Sequence, residues 1–408
     1  MPQQTKSDAA EPLFNPLSPA VIADPYPYYR RLRTQDPVHR SPLGFFVLSR
    51  HVEVAFVLRD RRFGKDFVGR MVRRHGPQVM EEPVYRSMRH WMLQQDPPDH
   101  TRLRGLVVRA FTARRVEDMR PRIQQIVDQQ LDRLACKGRV DLIADFAFPL
   151  PVTVICEMLG IPKEHHEMFL SGARTGGRLL DPVPLTRAEI DAANANNLAS
   201  AEYFRSLLEL RRRQPGEDLT TQLLQAEEDG HKLSHEELIA NIILLFGAGH
   251  ETTVNLIGNG LLALFRNPEQ LRLLRDNPAR IGNAIEELLR YDSSVQLTGR
   301  VASEDTELAG VRVVRGDGVL CLLGSANRDE TVYRDPDRLD IERANIRPLS
   351  FGGGIHFCLG AQLARIEAEV AIAGLLRRFP DLMLEDAGYP RWRPTFVLRG
   401  LERLPARC

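Results

Sequence analysis

Three consecutive glycines, Gly352, Gly353 and Gly354, run into a single cysteine, Cys358, that stands where a long apolar-periodic segment begins. No other stretch restricts the chain as much. Glycines at these places let the backbone turn without Cβ clashes and lie flat against a large planar group. After Cys358, apolar residues recur at helical spacing from Leu359 until Pro380 stops the run. A cysteine at a helix N-terminus is stabilised as the thiolate, the form that binds metal. A lone thiolate suits haem iron better than zinc, which wants further Cys or His at close spacing. The ordinary alternative is a buried free cysteine after a glycine-rich turn.

A second constraint comes from Ser234-His-Glu-Glu237, a capping box whose helix runs to Arg266, where Asn267-Pro268 starts the next. Such a helix is about 48 Å long and crosses the whole molecule. Its middle reads Leu-Leu-Phe-Gly-Ala-Gly-His-Glu-Thr-Thr from Leu244 to Thr253. Each mid-helix glycine, Gly247 and Gly249, costs about 1 kcal/mol relative to alanine, and close approach of a flat group is one reason to keep it. Glu251 and Thr252 set a carboxylate beside a hydroxyl, a pair that oxygen activation can use to deliver protons. Equally, the threonines bend a buried helix by bonding back to a carbonyl. Glu287 and Arg290 share one helix face at i,i+3, as do Glu209 and Arg212, which read as a solvated pair. His100 and Arg104 are four apart, Arg300 follows a switch to β pattern, and His356 lies in the glycine-rich loop. Taken singly, each of these cations reads as surface charge.

At 408 residues the chain exceeds the usual single domain. One large cofactor at the centre would still give a single domain over residues 16–408, behind a flexible segment 1–15. Hydrophobic content of 43% and charged content of 27% are those of a globular protein. A net charge of +1 excludes a global electrostatic case for nucleic acid or membrane binding. The N-terminus lacks an apolar signal core, and no segment offers ~18 uninterrupted apolar residues, so a soluble, cytoplasmic protein is expected. Five widely separated cysteines without Cys-x-x-Cys argue against a disulfide framework.

The element pattern predicts a hairpin from Val38 to Arg40 and Phe45 to Leu48, and a short helix from His51 to Leu58. Arg59 to Gln95, interrupted by Gly64, Gly69 and Gly76, reads as one long loop region. In it Arg70, Arg73 and Arg74 read as a solvated basic face rather than a carboxylate site. Helices follow over Pro98 to Phe111, Arg115 to Lys137, Phe146 to Leu159, Lys163 to Gly172, Arg187 to Gln214 and Ala279 to Tyr291. Short β runs fill Gln296 to Leu323, and Thr395 to Leu398 reads as a β-like tail.

Phe351, Gly352, Gly354, His356, Cys358 and Gly360 fit Phe-Gly-x-Gly-x-His-x-Cys-x-Gly at every specified position. Ala248, Gly249, Glu251, Thr252 and Thr253 likewise fit Ala-Gly-x-(Asp/Glu)-Thr-(Thr/Ser). The chain thereby resembles the soluble, bacterial-type cytochrome P450 haem-thiolate monooxygenases. The resemblance implies a mainly α fold with a small β portion, with haem b between the long central helix and the Cys-ligand loop. It implies Cys358 as the metal ligand and Glu251 and Thr252 as the catalytic pair. His100, Arg104, Ala248, Gly249, Arg300, Phe351, His356 and Gly360 are the expected cofactor contacts. Glu287 and Arg290, with Arg338 as third partner, are expected to brace the ligand loop.

By family position the substrate pocket draws on Phe67, Met71, Trp91, Met92, Leu179, Leu180, Leu244, Ala248, Val295, Gln296, Leu297, Thr395, Phe396 and Val397. These are largely apolar and favour a lipophilic molecule. The implied reaction inserts one atom of O2 into it. With no flavin or iron–sulfur signature in the chain, electrons are expected from a ferredoxin and a ferredoxin reductase. Arg102, Arg109, Arg114, Arg115 and Arg365 are the expected docking cations for an acidic partner. A peroxide-driven peroxygenase and a non-catalytic haem sensor or electron carrier are the competing readings.

Overall fold

The computed structural model describes residues 13–16, 18–172, 177–226 and 233–408, so most of the expected flexible segment lies outside the described residues. The long helix spans His235–Arg266, as its pattern predicts. Ser234 caps it and Glu237 returns the bond to the Ser234 N–H, which satisfies two of the orphan donors of the first turn. From Val254 to Leu264 every residue is buried, because helices pack on all sides. Those neighbours include Pro149–Met158, Arg187–Arg213, Ile281–Tyr291 and the helix after the cysteine, Ala361–Arg378.

Beside the helical body stands a five-stranded sheet in the order Val38–Arg40, Phe46–Leu48, Gly318–Leu322, Leu297–Ala302, Phe63–Gly64. Its register pairs Val38 with Leu48, Phe46 in parallel with Val319, Leu297 with Leu322 and Phe63 with Ala302. Strand Leu297–Ala302 carries Arg300 and closes one wall of the central cavity. A three-stranded sheet joins Arg139–Asp141, Pro405–Arg407 and Met383–Leu384, and a hairpin joins Thr306–Leu308 to Val311–Val313.

Three expectations change. The stretch from Arg59 to Gln95 is not loop throughout: it holds helices Phe67–His75 and Pro83–Met88 and a 3-10 turn between them. Asp66 caps the first by accepting the Gly69 N–H, while Phe67 and Met71, four apart, bury against Val84, Tyr85 and Met88. The expected helix from Arg115 to Lys137 is two, Ala113–Asp118 and Arg120–Ala135, because Pro121 starts a new one. Thr395 to Leu398 contributes only a single bridge, Val295 to Leu398. All five cysteines are free. Among the described residues no helix is long and apolar enough to cross a membrane.

Candidate functional site

The cysteine loop is shaped by its glycines. Gly352 and Gly354 have φ of 74° and 64°, a region that side chains other than glycine seldom enter. A Cβ on Gly354 would lie 2.3 Å from the Leu58 carbonyl oxygen. The flat surface that this glycine lies against is therefore the backbone of helix His51–Arg59. The Cys358 N–H donates to the Phe351 carbonyl at 2.9 Å and closes the loop.

The Sγ of Cys358 faces a cavity of about 1180 Å³. Burial raises the thiol pKa, opposed by the Gly360 N–H and by the guanidinium groups of Arg104 and Arg365. The pull toward thiolate thus comes from one N–H and two cations, and without a metal desolvation outweighs it.

The middle of the long helix forms the opposite wall, with Leu244, Ala248, Gly249, Glu251 and Thr252 lining the cavity. The Thr252 hydroxyl donates to the Ala248 carbonyl at 3.0 Å, which is the back-bonded geometry expected of a helix threonine. A Cβ on Gly249 would meet Ile155 at 3.2 Å, so helix packing accounts for that glycine. Glu251 is buried, and its carboxylate lies 3.5 Å from Arg393. Burial raises its pKa, and Arg393 pulls the other way. Glu251 also lines a second cavity of about 460 Å³, whose wall includes Asp141, Arg178, Glu189, Arg393 and Glu402. The carboxylate therefore borders both the main cavity and a second one that several charged side chains line.

At the sheet side of the main cavity basic side chains cluster, with Asp96 the nearby acid; it accepts the Lys65 backbone N–H at 2.8 Å. Arg300 and Lys65 are 3% and 4% exposed, yet their side chains bond only the Gly299 carbonyl and the Thr298 hydroxyl. Arg104 donates to the Phe357 carbonyl at 2.6 Å. The rings of His100 and His356 lie 4.3 Å apart, and the Nε2 of each has no partner. Burial, then the neighbouring cations, push the His356 pKa down to about 2; burial and Arg104 push that of His100 down to about 4. Both histidines are therefore neutral near pH 7 and burial pulls the Lys65 pKa well below its usual value, so the charge left unpaired is chiefly that of Arg300 and Arg104; two carboxylates from a bound group would relieve it. A thiol on one wall, an apolar interior and this cation cluster fit haem b with its two propionates. Lys65, unremarkable in the sequence, belongs to the cluster.

Behind the loop, Glu287 and Arg290 form a fully buried, bidentate pair at 2.7 Å. Their third side chain is Arg343, whose Nε is 3.2 Å from both Glu287 oxygens. Arg338 is not that partner: it offers only its backbone carbonyl, to Arg290 and Arg343. The irregular chain from 334 to 343 folds back on itself and brings the later arginine into reach. Arg290 also donates to the Asn327 carbonyl at 3.1 Å. The Asn327 side chain in turn bonds the Ser350 hydroxyl and the Leu349 N–H, one and two residues before Phe351. This path ties the buried pair to the loop.

Of the expected pocket residues, Phe67, Met71, Trp91, Met92, Leu179, Leu180, Leu244, Ala248, Val295, Leu297 and Val397 line the main cavity. Gln296, Thr395 and Phe396 do not. Gln296 lies between Val295 and Leu297 and points the other way, donating to the Ser293 carbonyl and accepting from Tyr29, as alternation along an extended chain requires. Phe396 packs edge-on against Phe14 at 5.5 Å. Thr395 lines the second cavity. Arg73 and Arg74 are exposed as expected and Arg70 is half-buried, and all three border the main cavity. Among the expected docking cations, Arg102 pairs with Glu237, Arg365 with Glu286, and Arg115 donates to the Gln222 amide oxygen.

Comparison with known proteins agrees with this geometry. The family model described as Cytochrome P450 matches residues 199–398. Cytochrome P450 107B1 of Saccharopolyspora erythraea is 45% identical over 403 residues, covering 95% of this chain and 96% of the relative. Cytochrome P450 monooxygenase PikC of Streptomyces venezuelae is 42% identical over 394 residues, covering 94% of this chain and 91% of the relative. Among solved structures, myxobacterial cytochrome P450 CYP267B1 in complex with myristic acid matches with a TM-score of 0.87 and 42% identity, covering 96% of this chain and 98% of that one.

Proposed function

The chain belongs to the cytochrome P450 family, and from that premise we propose how its residues divide the work of a haem b monooxygenase acting on a lipophilic small molecule. The observation that carries the reading is one cavity with the Cys358 thiol on one wall, Glu251 and Thr252 on the other and unpaired cations at its edge. Residues 16–408 act as one haem domain. Cys358 would ligate the haem iron through its thiolate, and Arg104, Arg300, Lys65, His100 and His356 would hold the propionates. Ala248, Gly249, Phe351 and Gly360 would border the ring. When bound, haem b supplies the iron at which O2 is reduced and one of its atoms passed to the substrate, the other leaving as water.

Glu251 takes protons from the side of the second cavity, where Glu189 and Glu402 also line the wall, and the Thr252 hydroxyl hands them on from its place on the main cavity wall. Apolar side chains from Phe67, Met71, Trp91, Leu297 and Val397 orient the substrate and keep bulk water out. The myristic acid in the CYP267B1 structure supports a substrate of this lipophilic kind.

Electrons come from a ferredoxin and its reductase, with Arg109, Arg114 and Arg115 on the docking face. Charge reversal at Arg109 and Arg115 is expected to slow reduction by the ferredoxin and flatten its dependence on salt. Unchanged rates at all ionic strengths would reject this docking face.

The test of the whole reading is turnover. Oxidation of a bound substrate is expected to require O2, NAD(P)H and the redox partners, with hydrogen peroxide alone a poor substitute. Equal efficiency with peroxide alone would favour a peroxygenase, which has no use for the Glu251 and Thr252 pair.

A further inference from the structure

Arg70 is a cavity-lining cation that the reading above leaves unused. It sits on helix Phe67–His75, one position before the buried Met71. Its Nε is buried with no partner, and its terminal nitrogens reach only the Gln94 amide oxygen, at 3.3 Å. The guanidinium lies 5.8 Å from the Phe67 ring centre and over Gly299, where a Cβ would stand 3.1 Å from its Nη1. A side chain at 299 would press on it, so the glycine gives the guanidinium room to lie there.

Neighbouring charges offset it only in part, through Asp66. On the same helix Arg73 pairs with Asp66 at 2.9 Å, whereas Arg70 has no carboxylate within ion-pair distance. The acids that do line the cavity near the roof are engaged elsewhere. Asp181 accepts the N–H groups of Phe396 and Val397 and pairs with Arg178, and Glu251 faces Arg393. Two propionates have Arg104, Arg300, Lys65 and the two histidines to meet. A buried guanidinium left over, next to apolar Phe67, Met71 and Leu297, suits a ligand with one anionic end and a long apolar body.

We infer that Arg70 anchors the carboxylate of a lipophilic monocarboxylic acid, so that the substrate class is an amphipathic acid rather than a neutral lipid. The inference rests on the monooxygenase reading and narrows it. Burial lowers the Arg70 pKa to about 10, which leaves it cationic at neutral pH.

The experiment is a binding comparison on the haem-loaded enzyme, by calorimetry and by the substrate-induced spin-state shift. Straight-chain acids of about 10–16 carbons are titrated against primary alcohols of the same length. Wild-type protein is expected to prefer the acid by about 10–100-fold, the range of a hydrogen bond to a charged group. Arg70→Met should bring that ratio to about one with alcohol affinity unchanged, and Arg70→Lys should restore part of it. An acid preference that persists in Arg70→Met, or no acid binding by wild type at any length, overturns the inference. So does an Arg70→Met protein that loses haem while keeping its acid preference, since the arginine would then serve the cofactor. The reduced, carbon monoxide-bound spectrum of the same samples separates the two levels. A thiolate-type band without acid preference rejects Arg70's role alone; a missing band rejects the monooxygenase reading and this inference with it.

Discussion

Replacing Glu287 with glutamine is expected to destabilise the fold by about 3–5 kcal/mol, the cost of removing one partner from a buried ion pair. The carboxylate has no solvent exposure and serves Arg290, Arg343 and the Asp340 N–H together. Its loss leaves two guanidinium groups in the interior without a counter-charge. The damage should travel, because Arg290 holds Asn327 and Asn327 holds Leu349 and Ser350 at the root of the cysteine loop. Chemical denaturation should show the lower stability, and purified protein should carry less haem. A change below about 1 kcal/mol would mean that the pair contributes no more than an exposed one.

Replacing Glu251 with glutamine is expected to slow product formation by about 10²–10⁴-fold, the usual contribution of a positioned proton-transfer group. The shape of the amide is nearly that of the acid, so the substrate-induced spin shift should survive. The pH profile gives a second reading. Burial raises the Glu251 pKa, so its protonated form persists to higher pH than in a free glutamate side chain. Proton supply should therefore hold on the acid side and fall as pH rises through that raised value. Because Arg393 is the group that lowers the pKa, Arg393→Met should move the falling limb to higher pH. Thr252→Ala should divert electrons into hydrogen peroxide at the expense of product. A Glu251→Gln enzyme with wild-type turnover and the same pH profile would remove the carboxylate from the proton route.

Much of this site was legible because it is local. The capping box at Ser234 and Glu237 fixed the start of the long helix, and its apolar run carried it to Arg266. The spacing of Gly352, Gly354, His356 and Cys358 marked the loop, although Gly354 proves to be required by the Leu58 carbonyl rather than by a flat ligand. What escaped was assembled from afar. Arg343 reaches Glu287 across an irregular segment, with no period to announce which of its arginines turns inward. Lys65 and Arg393 each stand in short extended chain and acquire meaning only when the sheet and the C-terminal segment close on the cavity. Gln296 and Phe396 were misassigned by treating consecutive residues as one wall, when extended backbone sends neighbours to opposite sides. Helix Phe67–His75 was hidden by Gly69 and three arginines, which dilute the Phe67 and Met71 spacing.

The central claim is that Cys358 binds haem iron as a thiolate. Its most direct test is the absorption spectrum of the reduced, carbon monoxide-bound protein, freshly purified and replete with haem. A red-shifted Soret band that Cys358→Ser abolishes is the predicted result. A haem-loaded protein without that band, or a band that survives in Cys358→Ser, would contradict the account.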